Sequence, residues 1–255
     1  MTTLKTTSLR SASTRDDFVR FYPTQLMETG YDILPFWVMR MLFMGRFMTG
    51  EFPFRNVYLH GLVRDENGKK MSKSKGNVIN PLSVIEEFGA DALRLGLVIR
   101  SSPGLDKSVG KRDFKAGRNF TNKIWNAARY VISSQTQENK LLDKSIKNDP
   151  EYQSRIDALI VETTKNLDEL KIGLAIDTLY DSFWHWYCDE CIERHKNGSL
   201  ASHQLLAGLL IFLKLLHPVV PFVTEAIWQE LVRQNLTTEK HLITSQWPTP
   251  SHEYT

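Results

Sequence analysis

The sequence predicts an α/β segment followed by an all-α one. Three observations carry that reading. An extended stretch, a helical stretch and a second extended stretch follow one another between Tyr22 and His60. From Asp113 onward, apolar residues recur at helical spacing. Between the two lies Lys69-Lys70-Met71-Ser72-Lys73-Ser74-Lys75-Gly76-Asn77, a basic loop that suits neither a strand nor a packed helix.

The elements follow in order. Residues 1–15 hold no acid and many Ser and Thr, and read as a disordered or remnant segment rather than a targeting signal. Tyr22 to Thr29 reads as a strand that begins after Pro23. Ile33 to Phe47 is mostly apolar and reads as a buried helix, with Pro35 tolerable near its start. Val57 to His60 reads as a short buried strand. Together they form a β-α-β unit with parallel strands, the beginning of a partial Rossmann-type half-domain. Gly30, Asp32, His60 and Gly61 then fall just beyond the carboxyl ends of the strands, where doubly wound sheets bind nucleotides. Asp32 is suited to accept from ribose hydroxyls, and the two glycines permit close backbone approach. Taken singly, Asp32 also reads as a helix N-cap and His60 as a satisfied strand-end histidine.

The basic loop places four lysines and two serines within residues 69–75. Ammonium groups that close repel one another and cannot be buried unpaired, so an anion among them gives the loop its sense. Polyphosphate fits, with lysine as a mobile point charge and serine as a small hydrogen-bonding neighbour. A lysine run alone reads equally as a solvated loop, a localisation signal or a nucleic-acid patch. Its flanks argue against a tail: Asn67-Gly68 marks a turn, Asn80-Pro81 a helix start and Gly89 a helix stop.

The second half reads as an up-and-down helical bundle. Phe120, Ile124, Ala128 and Val131 share one face, and Asn119, Lys123 and Asn126 another. Residues 135–149 read as a polar linker, and Asp149-Pro150 as the next helix start. Tyr152, Ile156, Leu159, Ile160, Thr163, Leu167 and Leu170 continue a stripe, as do Ile176, Leu179, Phe183, Trp186 and Tyr187. Leu205 to Leu216 is apolar nearly all round and marks the central helix; His217-Pro218 stops it and Pro221 starts another. Trp125, Trp184 and Trp186 read as core residues.

Composition sets outer limits. At 255 residues and 42% hydrophobic, the chain can bury a core and divide into two domains. A net charge of +3 permits a polyanionic partner without demanding one. The apolar runs are too short or interrupted to span a bilayer. Cys188 and Cys191 form a lone C-x-x-C that lacks the second half of a zinc site, and read as two reduced thiols with no metal.

Lys70-Met71-Ser72-Lys73-Ser74, extended by Gly76-Asn77, resembles the KMSKS signature of the class I aminoacyl-tRNA synthetases. The likeness is sharpest to the valine-specific branch of that family. It rests on Phe21-Tyr22-Pro23-Thr24, Glu28-Thr29-Gly30-Tyr31-Asp32, Phe36-Trp37-Val38-Met39-Arg40, the run from His60 to Asp65, Gly117-Arg118-Asn119-Phe120, Asn122 to Arg129, His217-Pro218, and Pro221 to Trp228. It extends from about residue 16 to 248; the stretch before Asp16 falls outside it. Residues 16–110 then correspond to the carboxyl-terminal half of the catalytic domain, 111–235 to an anticodon-binding bundle and 236–255 to a tail.

The resemblance implies specific roles. Lys73 and Lys70 stabilise the departing pyrophosphate, Ser72 and Ser74 shape the loop, and Met71 and Lys73 contact ATP. Gly30, Asp32, His60 and Gly61 hold the nucleoside, and Arg118, Lys123 and Arg129 contact tRNA phosphates. The implied reaction joins valine to tRNA(Val) through valyl-adenylate in the cytoplasm, with Mg2+ accompanying ATP. The family's second signature, a His-Ile-Gly-His-like motif, does not occur, nor does an inserted editing domain. The chain is therefore expected to be a carboxyl-terminal portion, inactive alone; a truncated product, an incomplete sequence and one half of a split enzyme that pairs with an amino-terminal half all read alike. An inactive tRNA-binding module and an isoleucine- or leucine-specific relative remain as alternatives.

Overall fold

The computed structural model describes residues 12–135, 146 and 148–251. Most of the stretch read as an N-terminal remnant, and most of the polar linker, lie outside the described residues. The described residues are mostly helical, with two small parallel sheets among them, and the chain divides into two compact units. One unit runs to Leu62 and takes in Pro103–Asp106; the other comprises Val63–Ser102 and everything from Lys107 onward.

The strand unit begins with helix α1 (Ala12–Phe21), which takes in four residues of the presumed remnant. Strand β1 (Thr24–Gly30) pairs in parallel with β2 (Phe54–His60), from Thr24 opposite Phe54 to Gly30 opposite His60. A 3-10 turn (Tyr31–Ile33), a π turn (Leu34–Val38) and helix α2 (Met39–Thr49) connect them. Pro35 sits in the first positions of the π turn, where no partner for its absent N–H is needed. Gly50 closes α2 in a left-handed conformation, φ 80°. The expectations of a buried second strand and a buried connecting helix both need correction. In β2, Val57 is exposed and Tyr58, Leu59 and His60 are only half-buried, because the strand has a single pairing partner and little cover. Val38 is buried, yet Trp37, Phe43 and Phe47 are 53%, 69% and 79% exposed. A helix apolar all round needs cover on every side, and two strands cannot supply it.

The helical unit opens with β3 (Val63–Arg64), parallel to β4 (Lys107–Ser108), and the basic loop follows β3. Helix α3 (Pro81–Phe88) is capped by Asn80, whose side chain accepts from the Leu82 N–H, and stops at Gly89 with φ 93°. Helix α4 (Ala90–Val98) leads to the long α5 (Lys111–Ser133). Then come α6 (Pro150–Asp168), α7 (Ile172–Asp181), a π-helical run (Ser182–Cys191), α8 (Ile192–Lys196), α9 (Ser202–Leu216) and α10 (Pro221–Arg233). Asp149 caps α6 by accepting from the Glu151 and Tyr152 N–H groups.

The stripes read from the sequence make one core. Phe120, Ile124 and Val131 of α5 meet Ile156 of α6, Leu179 of α7, Phe183 and Tyr187 of the π run, Phe212 of α9 and Trp228 of α10. Leu167 and Leu170 are only half-buried, because α6 ends at Asp168 and Leu170 turns left-handed, φ 58°. A second, smaller core of Val84, Val109 and Phe114 packs Ile79, Phe88 and Leu93 beside the basic loop. Trp186 is buried and Trp184 packs at the core's edge, but Trp125 is 41% exposed and does not join it. Cys188 and Cys191 are buried free thiols, pushed up to about 12 by burial. No helix among the described residues is long and apolar enough to cross a membrane.

Candidate functional site

Parallel pairing brings the strand-end residues together. Gly30 and His60 are register partners, so the two strands end side by side. A side chain added at Gly30 would lie 2.8 Å from Asp32 Oδ1 and 3.6 Å from His60 Cε1. Glycine therefore leaves a gap flanked by a carboxylate and an imidazole. The His60 ring is fixed at both nitrogens. Nδ1 lies 2.8 Å from the Gly61 carbonyl oxygen, and Nε2 lies 3.3 Å from a Glu28 carboxylate oxygen. Glu28 was not singled out in the sequence; its position two residues before Gly30, on the same strand face, was the available signal. Gly61 is required by contact, since a Cβ there would stand 1.8 Å from the Leu105 carbonyl oxygen. The Leu62 N–H donates to Asp106 Oδ1 at 2.8 Å, holding that close approach.

The basic loop belongs to the helical unit and has a built frame. Asp65 is its post: one carboxylate oxygen accepts from the Asn67 and Lys69 N–H groups at 3.0 and 2.8 Å. The other accepts from Asn77 Nδ2 at 2.7 Å. Asn77 in turn accepts from the Ser72 N–H at 2.9 Å, so the loop is tied across its neck. The Asn77 hydrogen bond, aided by the Lys69 N–H, holds the Asp65 carboxyl below its usual range. The Asn67-Gly68 turn closes with the Gly68 N–H donating to the Asp65 carbonyl. Within the frame, Lys73–Lys75 form one 3-10 turn, ended by Gly76 at φ 66°. The Ser72 and Ser74 hydroxyls are 2.7 Å apart. Met71 and Ser72 are half-buried, while Lys69, Lys70, Lys73 and Lys75 all extend into solvent. An ordered backbone with four exposed ammonium groups is what a polyphosphate clamp needs. Asp65 and Asn77, the residues that give it order, were named in the sequence without that role.

The three basic residues expected to meet tRNA all lie on α5 but have different neighbours. Arg118 stacks over Phe88, 5.4 Å from the ring centre. Lys123 pairs with Asp189 at 2.9 Å and lies over Trp184. Arg129 lines an open cleft of about 620 Å³ with Trp125, Asn126, Tyr130, Glu230 and Gln234.

Comparison with known proteins decides the family. A model of class I tRNA synthetases (isoleucine, leucine, methionine and valine types) matches residues 2–110, and one of the anticodon-binding domain of tRNA ligases matches 149–255. The chain belongs to the class I tRNA synthetases. The first match starts at residue 2, so the likeness reaches into the Ser/Thr-rich stretch that the sequence motifs had left outside it. The valine--tRNA ligase of Clostridium acetobutylicum is 42% identical over 92% of the chain, and that of Bacillus cereus 40% identical over 91%. The chain spans 28% of the length of each. Agrobacterium radiobacter K84 LeuRS, in ternary complex with tRNA and LeuAMS, shares the fold. Its TM-score is 0.72 at 20% identity, covering 90% of this chain and 29% of that one.

Proposed function

We propose that this chain is the part of a valine--tRNA ligase that carries the KMSKS loop, one side of the ATP site and the bundle that holds the anticodon arm of tRNA(Val). The framed loop is the observation that carries the reading: order in the backbone from Asp65 and Asn77, with lysines outward. Kinship at 42% identity points to valine as the amino acid. The strand pair corresponds to part of a Rossmann-type nucleotide-binding domain, and the location follows that of protein synthesis, the cytoplasm.

The chemistry follows from charge. When the carboxylate of valine attacks the α-phosphate of ATP, charge grows on the oxygen bridging to the departing pyrophosphate. Lys73, with Lys70 beside it, stabilises that charge more than the ground state, which is what accelerates the step. The paired Ser72 and Ser74 hydroxyls keep the turn that aims Lys73. Mg2+ accompanies the ATP phosphates. Asp32 accepts from the ribose hydroxyls, His60 is held in place by Gly61 and Glu28, and the glycines admit the nucleoside. On the bundle Arg129 meets tRNA phosphates, joined by Arg118, and by Lys123 once it leaves Asp189.

Exchange of pyrophosphate into ATP by the complete ligase that carries this sequence tests the reading. Valine should support exchange and tRNA(Val) should be charged. Faster exchange with isoleucine or leucine would move the chain to another branch. A second reading, a tRNA-holding module without chemistry in isolation, is favoured by the filled core of the helical unit and the uncovered α2 of the strand unit. It predicts tRNA binding but no exchange from the 255-residue chain alone.

A further inference from the structure

The corner between α9 and α10 has hydrogen-bonding groups that its own sequence leaves unmet. Helix α10 opens Pro221-Phe222-Val223, and its cap residue, Val220, has no side chain to accept from the first N–H groups. The corner carbonyls of Pro218 and Val219 need donors. Both needs are met from α4. Asp91 is only 7% exposed and accepts from the Val223 N–H at 2.7 Å and the Phe222 N–H at 3.2 Å. One turn on, Arg94 donates Nε to the Val219 oxygen at 2.9 Å and Nη2 to the Pro218 oxygen at 3.0 Å. A single carboxylate thus sits at the positive ends of two helices, α4 and α10.

The far end of α4 is tied to the loop's frame. Lys107, in β4, donates Nζ to the Gly96 oxygen at 2.8 Å, to the Leu97 oxygen at 3.3 Å and to the Ile99 oxygen. Strand β4 pairs with β3, which leads into the loop. The small core of Val84, Val109 and Phe114, with Phe88 and Leu93, fills the space between α3, α4 and α5. At the α4–α5 crossing Gly117 allows near contact, since a Cβ there would lie 2.8 Å from the Ala92 carbonyl oxygen. Helix α4 is therefore gripped by the bundle corner at its start and, at its end, by β4, the pairing partner of the strand that leads into the loop.

We propose that Asp91 and Arg94 are positioning residues for Lys73: by fixing α4 on the α9–α10 corner they set how far the lysine loop reaches. This rests on the role given to Lys73 above. A grip of this kind acts through packed elements with little slack, and such coupling changes rates without touching substrate.

A double-mutant cycle in the complete ligase tests it, using Asp91→Asn, Lys73→Ala and the pair, with valine-dependent exchange and melting temperature measured for each. Asp91→Asn keeps the shape and loses one acceptor and the charge. The expected result is a fall of about fivefold in kcat, with KM for valine changed less than about twofold. In the Lys73→Ala background the same change should cost less than about twofold more, because the group it positions is gone. Losses that multiply, or no loss in the folded Asp91→Asn enzyme, would overturn the proposal. An unchanged rate for Lys73→Ala alone would instead remove the premise about the lysine. Should Asp91→Asn not fold, Arg94→Lys, which keeps the charge and one hydrogen bond, is read in the same cycle with the same outcomes.

Discussion

Asp65 and Asn77 do for the loop what a cap does for a helix. Two side chains satisfy backbone N–H groups that the turn leaves over, and leave the lysines nothing to do but face outward. Replacing Asn77 by alanine removes the Ser72 acceptor and an Asp65 donor while leaving every lysine in place. Hydrogen exchange at the Ser72 amide should rise about tenfold, the equivalent of one ordinary hydrogen bond, and KM for ATP should rise with it. Unchanged protection at Ser72 would mean that the tie does not hold the neck. The Asp65 carboxyl has its pKa lowered by folding, so its contribution is complete above the ordinary unfolded value of about 3.9. It disappears as the pH falls through the lower folded value. Between pH 6 and 8 Asp65 should therefore add no slope to the stability curve, and acid alone should loosen the loop. Cys188 and Cys191 offer a second check at this scale. Thiols pushed up to about 12 and buried are unreactive at neutral pH, so an alkylating reagent should label both only after denaturation.

At the scale of elements, α5 carries a glycine in its interior at a position where alanine would be the better helix former by about 1 kcal/mol. Gly117 is there because the Ala92 backbone leaves no room for a methyl group. Overpacking against backbone costs about 1–3 kcal/mol, so the clash wins. Gly117→Ala should lower the melting temperature despite its gain in propensity; a rise would show that α4 and α5 can part without cost. Several of the helices were legible from the sequence, because they carry a local signature, whereas Ala12–Phe21 and Ala90–Val98 were not read. Asn80-Pro81 and Asp149-Pro150 announce their starts, and Phe120, Ile124, Ala128 and Val131 declare which face is inward. What escaped was non-local. Asp91 caps a helix 131 residues away, and no window of sequence connects them. The only hint lay at the other end: Val220-Pro221 starts a helix with no capping side chain, which obliges something distant to supply one. Trp125 misled for a related reason, since its spacing does not say that α5 turns it toward an open cleft.

For the whole molecule, the loop and the strand-end residues were both singled out in the sequence, but not which unit each belongs to. The lysines follow β3 in the helical unit, whereas Gly30, Asp32, His60 and Gly61 sit in the strand unit. Nor did the apolar pattern of α2 reveal exposure, since a helix apolar all round reads as buried whether or not cover exists. With Phe36, Trp37, Phe43 and Phe47 uncovered, the chain expressed alone should self-associate, and Phe43→Lys with Phe47→Lys should return it to the monomer in sedimentation velocity. A monomeric parent chain would show that the face is covered in solution.

The central claim is that one lysine on a framed loop stabilises the departing pyrophosphate. Its most direct test is the rate of valine-dependent pyrophosphate exchange in the complete ligase with Lys73→Ala. We expect kcat to fall by about a hundredfold or more, the usual loss on removing one charge-stabilising group, with KM for valine within about threefold of the parent. An exchange rate equal to that of the parent enzyme would contradict it.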